Sequence, residues 1–242
     1  YSALVISGHW REGDERRCVA DLLSRRVDGI ILLTSCLPDQ EQKNLSQNVP
    51  LVDTGRHVAG EPNYCLHTDN TAGARLATDY LIGLGHRRIA FISGPPDHPD
   101  AVQRLNGYKA ALAAGKIRFT GKLVVHGDYL ESGGHEAMTA LLDSRAEFTA
   151  VFAANDQTAY GAMLALYRRG LKVPRDVSLI GFDDLSASAF MIPPLTTVHR
   201  SIDEIGESAA EAIIDLIDQR TPLAKVSAAT LAVRESTRPL RR

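Results

Sequence analysis

The residues with the most useful chemistry follow directly after short apolar runs of the sequence. Five runs are followed by the pairs Thr34-Ser35, Gly55-Arg56, Asp128-Tyr129, Asn155-Asp156 and Asp183-Asp184. Most of these side chains can form paired hydrogen bonds with the hydroxyl groups of a small molecule. A further arginine, Arg104, follows the apolar run at 88–93 and can do the same. The pattern indicates a binding site for a small polar ligand.

Each of these residues also has a purely structural interpretation. An Asp or Asn after a strand often closes a turn or caps the next helix, and this interpretation is favoured for Asp128, Asp156 and Asp184. Asn155 and Asp183 stand one position nearer to their strands, and both interpretations remain open for them. Arg104 is equally consistent with an exposed residue of a helix.

The elements that must position these residues alternate between strands and helices along almost the whole chain. Predicted strands cover 4–6, 29–33, 51–54, 88–93, 123–126, 150–154, 177–182 and 231–233, and predicted helices cover 14–26, 70–84, 101–114, 132–142, 157–169 and 202–217. This alternation predicts an α/β fold with parallel sheets, helices on both faces and two Rossmann-like halves. Ligands bind such sheets at the carboxyl ends of the strands, where the polar pairs would meet.

The composition excludes several classes of protein. The 242 residues include 27 Lys and Arg against 29 Asp and Glu, a formal net charge of −2. Because contacts with nucleic-acid phosphates need a basic face, we do not expect this chain to bind DNA by itself. No apolar run reaches the length of a membrane-spanning helix. Cys18, Cys36 and Cys65 have neither disulfide-scaffold nor zinc-site spacing, which favours a reducing cytoplasm.

The sequence carries no motif of a cofactor site or a catalytic site. It contains no GxGxxG loop, no phosphate-binding loop, no zinc-protease motif and no GxSxG elbow. Its eight histidines are scattered, without ligand spacing. We expect no cofactor, no metal and no catalytic residue.

Eight segments resemble one family of bacterial transcription regulators. They are LSRRVDGII (23–31), LGHRRIAF (84–91), RLNGY (104–108), ANDQ with GAM (154–157 and 161–163), VPRDVS (173–178), GFDD (181–184), PPLTTV (193–198) and VREST (233–237). Each segment alone is a weak signal, but together they occur in the right order over nearly the whole chain. The chain resembles the effector-binding domain of the lactose/galactose repressor (LacI/GalR) family.

The resemblance implies two Rossmann-like subdomains, similar to periplasmic sugar-binding proteins, with a small ligand between them. The chain would cross from one subdomain to the other three times. Residues 1–66 with 198–220 would then form one subdomain, and residues 67–197 with 221–242 the other. The family's DNA-binding helix-turn-helix and hinge helix are absent from this sequence. Tyr1 matches the start of the family's second strand, so the first strand and helix of the N-terminal subdomain are also expected to be missing.

The resemblance also implies roles for particular residues. Arg104, Asn155 and Asp183 match positions that contact the effector, and Tyr129 matches a position that often supplies an aromatic wall. Where the family often has an Asp, this chain has Gly55 followed by Arg56. Either an acceptor for a sugar hydroxyl is lost there, or Arg56 binds an anionic group of the ligand.

Three hypotheses for the function of this chain follow from these observations. The leading hypothesis is the effector-sensing domain of a transcription regulator, which reaches operator DNA through a further N-terminal domain. Its effector would be a sugar or a related polyol, while a sugar phosphate, a nucleoside and a purine remain open. The alternative is the solute-binding protein of a sugar transporter, which has a similar fold. The third is an enzyme with Asp183 or Asp184 as a general base, which no accompanying nucleophile or metal cluster supports.

A homodimer is expected from the family resemblance and from an apolar loop. The loop at 186–194 carries Phe190, Met191 and Ile192 in succession, a cluster that marks contacts when it is exposed. The alternative is that Phe190 and Ile192 fill the core of their own subdomain. By resemblance, the other candidate contact surfaces are the helix at 14–26 and the helix with Tyr160, Leu164 and Tyr167.

Overall fold

The computed structural model describes residues 1–55, 64–66, 68–223 and 225–240 and divides the chain into two compact units. Unit 1 comprises Tyr1–Thr68 and Ser201–Ser227, and unit 2 comprises Asp69–Arg200 and Ala228–Arg242. In chain order the elements are α1 (Glu12–Ser24), β1 (Ile30–Leu32), α2 (Asp39–Ser46), β2 (Leu51–Asp53), β3 (Tyr64–Cys65), α3 (Asn70–Gly83), β4 (Ile89–Ser93), α4 (Pro99–Ala114), β5 (Val124–His126), α5 (Glu131–Asp143), β6 (Ala150–Ala153), α6 (Asp156–Arg168), β7 (Ser178–Asp183), β8 (Thr196–His199), α7 (Ile202–Ile217) and β9 (Thr230–Ala232).

Unit 1 contains a three-stranded parallel sheet in the order β1-β2-β3. One apolar cluster joins β1 and β2 to α2 and is covered by residues of α1. A second cluster joins Val52 and Leu66 to Ala209, Ala212 and Ile213 of α7. The sequence predicts α7 correctly because its apolar residues recur at helical spacing and Ser201 caps its start by accepting a hydrogen bond from the Glu204 N–H at 3.1 Å.

The chain passes between the two units three times, and the third passage comes later in the sequence than the resemblance implies. The first two passages follow Thr68 and Arg200, a few residues beyond the expected 66 and 197. The third follows Ser227, so unit 1 extends to Ser227 rather than to 220. The Ser208 hydroxyl donates to the Lys225 carbonyl at 3.2 Å, and the Ser227 N–H and hydroxyl donate to Glu204 at 3.1 and 2.8 Å. These bonds hold residues 225–227 against α7 and therefore within unit 1.

The predicted strand at 4–6 is wrong. Residues 1–8 form no helix or strand, and the Val5 side chain is exposed. An apolar run becomes a strand only where a neighbouring strand completes its backbone hydrogen bonds. Among the described strands β1 pairs only with β2, so no strand of this sheet pairs with residues 4–6. The apolar pattern also misses α2, which is almost wholly polar, and the short strands β3 and β8.

Unit 2 contains a six-stranded sheet in the order β5-β4-β6-β7-β8-β9. β4 to β8 run parallel, and β9 pairs antiparallel with β8 at one edge. Phe91, Phe152 and Phe182 pack with α3 and α4 in one cluster, whereas Val151 and Leu179 pack with α5 and α6 in another. The predicted α/β fold with parallel sheets is confirmed, with one antiparallel edge strand. Within the described residues, no helix combines the length and the hydropathy needed to cross a bilayer.

Helices α3 and α4 approach closely because Gly107 of α4 lies against the backbone of α3. A Cβ atom added at Gly107 would lie 2.2 Å from the Thr71 carbonyl oxygen and 2.9 Å from the Ala74 Cβ. Backbone atoms cannot give way as a flexible side chain can, so this contact requires glycine. The same contact places α4, and with it Arg104.

We predict that Gly107→Ala destabilises the protein by about 2 kcal/mol or more, because the added methyl group must push α4 away from α3. Urea unfolding of the purified variant measures this change. Gly83→Ala is the matched control, since Gly83 is a helix residue with nothing within 4 Å of an added Cβ. The control should be neutral or stabilising by up to about 1 kcal/mol. Equal stability of Gly107→Ala and wild type would contradict the close contact of the two helices.

Candidate ligand-binding site

The carboxyl ends of the parallel strands of unit 2 lie at one edge of its sheet, and polar residues gather there. Four of the predicted site residues, Arg104, Tyr129, Asn155 and Asp183, belong to unit 2, whereas Arg56 lies outside the described residues. We define the strand-end cluster as these four residues together with three that the sequence analysis does not predict. The full set is His98, Asp100, Arg104, Tyr129, Asn155, Asp183 and Arg200.

Arg104 is the centre of the strand-end cluster and is almost fully buried, with an exposed fraction of 2%. Its Nε donates to Asn70 Oδ1 at 2.9 Å, and its Nη1 donates to the Ala154 carbonyl oxygen at 2.5 Å. Its Nη2 lies 3.5 Å from an Asp100 carboxylate oxygen and 3.7 Å from Asp183 Oδ1. Arg104 is therefore a buried residue held by four elements and not an exposed helix residue.

The surroundings of Arg104 keep its guanidinium group charged. Burial acts to lower the pKa of Arg104, but the nearby carboxylates, Asp183 foremost and Asp100 as well, outweigh it, and the net shift is upward. The Phe182 ring lies under the guanidinium group, with its centre 4.0 Å from the Arg104 Cζ. This face of the ring attracts a cation and excludes water.

Asp183 ends β7 in a backbone conformation that needs support. Its φ is +109° and that of Asp184 is +57°, values that residues other than glycine rarely adopt. The partly exposed Arg200 donates from Nε to Asp183 Oδ1 at 2.7 Å. Arg200 is not predicted from the sequence because it follows β8, which the apolar pattern does not identify. A strand prediction at 196–199 would have placed Arg200 at the same edge.

Tyr129 is a buried residue packed between a glycine and a histidine. An added Cβ at Gly94 would lie 2.2 Å from the Tyr129 ring, so only glycine leaves room for it. The His98 ring meets the Tyr129 ring edge-on with centres 5.1 Å apart, and the Arg104 Cζ lies 5.7 Å from the Tyr129 ring centre. Burial raises the pKa of Tyr129, so its hydroxyl group stays protonated. The ring thus forms part of the wall around Arg104.

Asn155 connects the cluster to the start of α6. Its Oδ1 accepts a hydrogen bond from the Thr158 N–H at 2.9 Å, and its Nδ2 donates to the Tyr129 carbonyl oxygen at 2.9 Å. Asn155 therefore caps a helix and holds Tyr129 in place. Its amide retains one N–H and one lone pair for a ligand. A direct contact with a ligand stays a prediction, as it does for Arg104, Tyr129, Asp183 and Arg56.

The chemistry of the cluster is that of recognition. Arginine and carboxylate groups at this edge can donate to and accept from hydroxyl groups, and the phenol ring can cover an apolar face of a ligand. Asp183 is engaged by Arg200 at 2.7 Å, so it is not placed as a free base. Among the described residues, no group of three His, Cys, Asp or Glu side chains could hold a metal ion.

Comparisons with known proteins agree with this picture. Residues 78–237 match the model of the periplasmic binding protein-like domain family. The chain is 40% identical over 216 residues to the ribose operon repressor of Escherichia coli (strain K12), an alignment that covers 87% of this chain and 65% of that protein. The crystal structure of a sugar-binding transcriptional regulator of the LacI family from Escherichia coli, complexed with phosphate, matches with a TM-score of 0.85 and 31% identity, over 95% of this chain and 84% of that one.

The chain belongs to the LacI family. It corresponds to the effector-binding domain, and the resemblance and the periplasmic-binding-protein-like fold are both confirmed. A lac repressor dimer bound to operator and an anti-inducer also matches, with a TM-score of 0.84 and 28% identity over 94% of this chain and 80% of that one. These relatives are transcriptional regulators and not enzymes. The chain spans 65% of the length of the ribose operon repressor.

Two aspartates of this LacI-family chain serve structure at the same edge. Asp156 accepts hydrogen bonds from the Thr197 and Ser188 hydroxyl groups, both at 2.6 Å, and from the Leu185 N–H at 2.8 Å. It thereby ties α6 to β8 and to the loop after β7.

Asp184 is held from two sides. Arg234 Nη2 donates to one of its carboxylate oxygens at 2.7 Å, and His199 Nδ1 lies 2.9 Å from the other. Of the two neighbours after β7, Asp183 faces the cluster and Asp184 anchors β8 and the C-terminal segment.

We predict that Asp156 makes folding stability fall as the pH rises through about 6. Burial raises the pKa of Asp156 from 3.8 to about 6, against the opposing effect of its three hydrogen bonds. The folded protein then holds this proton more tightly than the unfolded chain. The stabilising contribution is complete below the unfolded value and is lost as the pH rises through the folded value.

Urea unfolding of wild type and Asp156→Asn at about pH 4.5 and about pH 7 measures this effect. The unfolding free energy of wild type minus that of the variant should be smaller at the higher pH. Asp97→Asn, at an exposed position of unit 2, is the control and should give a constant difference. If the Asp156→Asn difference is constant or larger at the higher pH, the raised pKa is wrong.

Proposed function

We propose that this chain senses a sugar or a related polyol as the effector domain of a LacI-type transcription regulator. The observation that carries the proposal is the buried guanidinium group of Arg104 at the carboxyl edge of a parallel sheet, with Asp183 3.7 Å away. A guanidinium group and a carboxylate at this spacing suit the alternating donors and acceptors of neighbouring hydroxyl groups. Nucleosides carry the same hydroxyl pairs and belong to the same proposal.

The relatives support a regulator over a transporter's solute-binding protein. One is named for the ribose operon, one is described as sugar-binding, and one is a repressor bound to operator. We propose that the whole protein acts in the cytoplasm and binds operator DNA through a segment outside this chain. The formal net charge of −2 of this chain supports DNA binding by another segment, since operator binding needs a basic surface.

We predict that Arg104→Lys lowers the affinity for the sugar by more than about 1 kcal/mol, because a point charge replaces a planar fork of donors. A thermal-shift screen of free pentoses, hexoses and nucleosides identifies the ligand, and titration calorimetry measures its affinity. Arg118→Ala, at an exposed position of unit 2, is the control and should bind as wild type does. Unchanged calorimetric affinity of Arg104→Lys would remove Arg104 from the binding site.

We also propose that the protein is a homodimer, with the loop at 186–194 among its contact surfaces. Phe190 and Ile192 are 85% and 92% exposed, which excludes the alternative that they fill the core of unit 2. Met191 packs instead against the cluster beneath α5 and α6. Exposed apolar side chains in one loop are typical of a protein contact.

The helix surface next to this loop supports the same proposal. The Tyr160 hydroxyl lies 2.8 Å from the Ser188 hydroxyl, which connects α6 to the loop. Tyr167 and Leu164 of α6 are exposed. A groove of about 360 Å³ between α5 and α6 includes Tyr160 and Leu164 in its lining. In unit 1, the predicted contact helix α1 lines a second groove, of about 390 Å³, together with α2.

We predict that Phe190→Asp and Ile192→Asp each weaken dimerisation about tenfold or more, because an interface would have to bury an unpaired charge. Sedimentation equilibrium measures the dissociation constant. Leu223→Asp is the control, since Leu223 is similarly exposed but belongs to none of the proposed contact surfaces. A monomeric wild type, or variant dimers of unchanged strength, would exclude this loop from the interface. Met191→Asp is unsuitable here because Met191 packs inside unit 2.

A further inference from the structure

Asp100 is a buried acidic residue of the strand-end cluster. It lies in the first turn of α4, one helical turn before Arg104, so both side chains share one face of the helix. His98 Nδ1 accepts a hydrogen bond from the Asp100 backbone N–H at 3.2 Å, which fixes the start of the helix. Burial lowers the pKa of His98, so its ring is neutral at neutral pH and adds no cation here.

One oxygen of the Asp100 carboxylate has no hydrogen-bond donor. The residue is only 6% exposed, and its Oδ1 is buried without a partner. Its Oδ2 lies 3.5 Å from Arg104 Nη2. An unsatisfied buried acceptor destabilises a folded protein. Such a group is expected where a site is kept for a ligand at the expense of stability.

The charges of the cluster favour one class of ligand. Arg200 is paired with Asp183 at 2.7 Å, and Arg104 Nη2 lies between Asp100 and Asp183 at 3.5 and 3.7 Å. Each arginine of the described cluster thus has an acidic neighbour, and Asp100 Oδ1 is a buried acceptor without a hydrogen-bond donor. A sugar hydroxyl supplies a donor, whereas a phosphate group brings negative charge and further acceptors.

We propose that Asp100 accepts a hydrogen bond from a sugar hydroxyl and makes the site selective for uncharged sugars over their phosphate esters. One hydroxyl beside Asp100 and Arg104 Nη2 can donate to the carboxylate and accept from the guanidinium group at once. The ligand must displace the atoms that now cover Oδ1. This inference rests on the proposed sugar-binding function.

The test compares free sugars with their phosphate esters on three proteins: wild type, Asp100→Asn and Asp97→Asn. The probes are D-ribose, D-galactose and D-glucose, with ribose 5-phosphate, galactose 6-phosphate and glucose 6-phosphate. Calorimetry should show that wild type prefers a free sugar to its ester. Asp100→Asn should bind that sugar about tenfold more weakly or worse and should lose most of the preference, because an amide of the same shape accepts less well and no longer repels the ester.

Asp97→Asn removes an exposed carboxylate of the same segment and should leave both affinities unchanged. Thermal unfolding without ligand checks that Asp100→Asn still folds, at a stability lowered by the loss of a carboxylate beside the buried Arg104 guanidinium group. The inference is overturned if Asp100→Asn keeps the wild-type affinity, or if it weakens sugar and ester equally. If wild type binds none of these free sugars and no pentose, hexose or nucleoside of the thermal-shift screen, the proposed function fails as well. If Arg104→Lys loses sugar binding and Asp100→Asn does not, only the role of Asp100 is wrong.

Discussion

Burial of the Arg104 guanidinium group is the interaction on which the candidate site depends. Moving this cation out of water is costly unless acceptors and acidic groups replace its hydration. Asn70 from α3, the Ala154 carbonyl oxygen after β6, and the carboxylates of Asp100 and Asp183 provide this replacement. Each partner comes from a different part of unit 2, so the edge of the sheet must be assembled before Arg104 can be buried. The site and the fold of unit 2 are therefore parts of one arrangement.

The acidic residues at this edge have the same chemistry but different tasks, and their partners decide which. Asp183 lies beside Arg104 and Arg200, whereas Asp184, its neighbour in sequence, is held by Arg234. Asp156 follows Asn155 directly, yet it accepts three hydrogen bonds from the loop after β7 and from β8. Because successive residues of a strand end point in different directions, adjacent side chains reach different surroundings.

Helix α6 connects the ligand chemistry of unit 2 with the proposed contact surface. Asn155, the residue that caps its start, holds Tyr129 beside Arg104, and Asp156 in its first turn holds Ser188. Ser188 in turn lies 2.8 Å from the Tyr160 hydroxyl, one turn further along the helix. The exposed loop with Phe190 and Ile192 is thereby fixed to the same helix that shapes the strand-end cluster.

The sequence by itself determined the α/β class, most helices and strands, the family and the polar character of the strand ends. These signals are local, because a strand buried on both faces needs an apolar run and a helix needs apolar residues at a period of about 3.6. The local signal failed at 4–6, where no neighbour completes a strand, and at β8, whose sequence TTVH is mostly polar. It favoured structural roles for Asp128, Asp156 and Asp184 but could not decide between a structural role and a ligand-binding role for Asp183. Only the tertiary structure decided that Arg104 is buried beside Asp183 and that Arg200 and Asp100 join them. It also decided which groups hold Asp156 and Asp184. These contacts join residues far apart in the chain through the order of strands in the sheet.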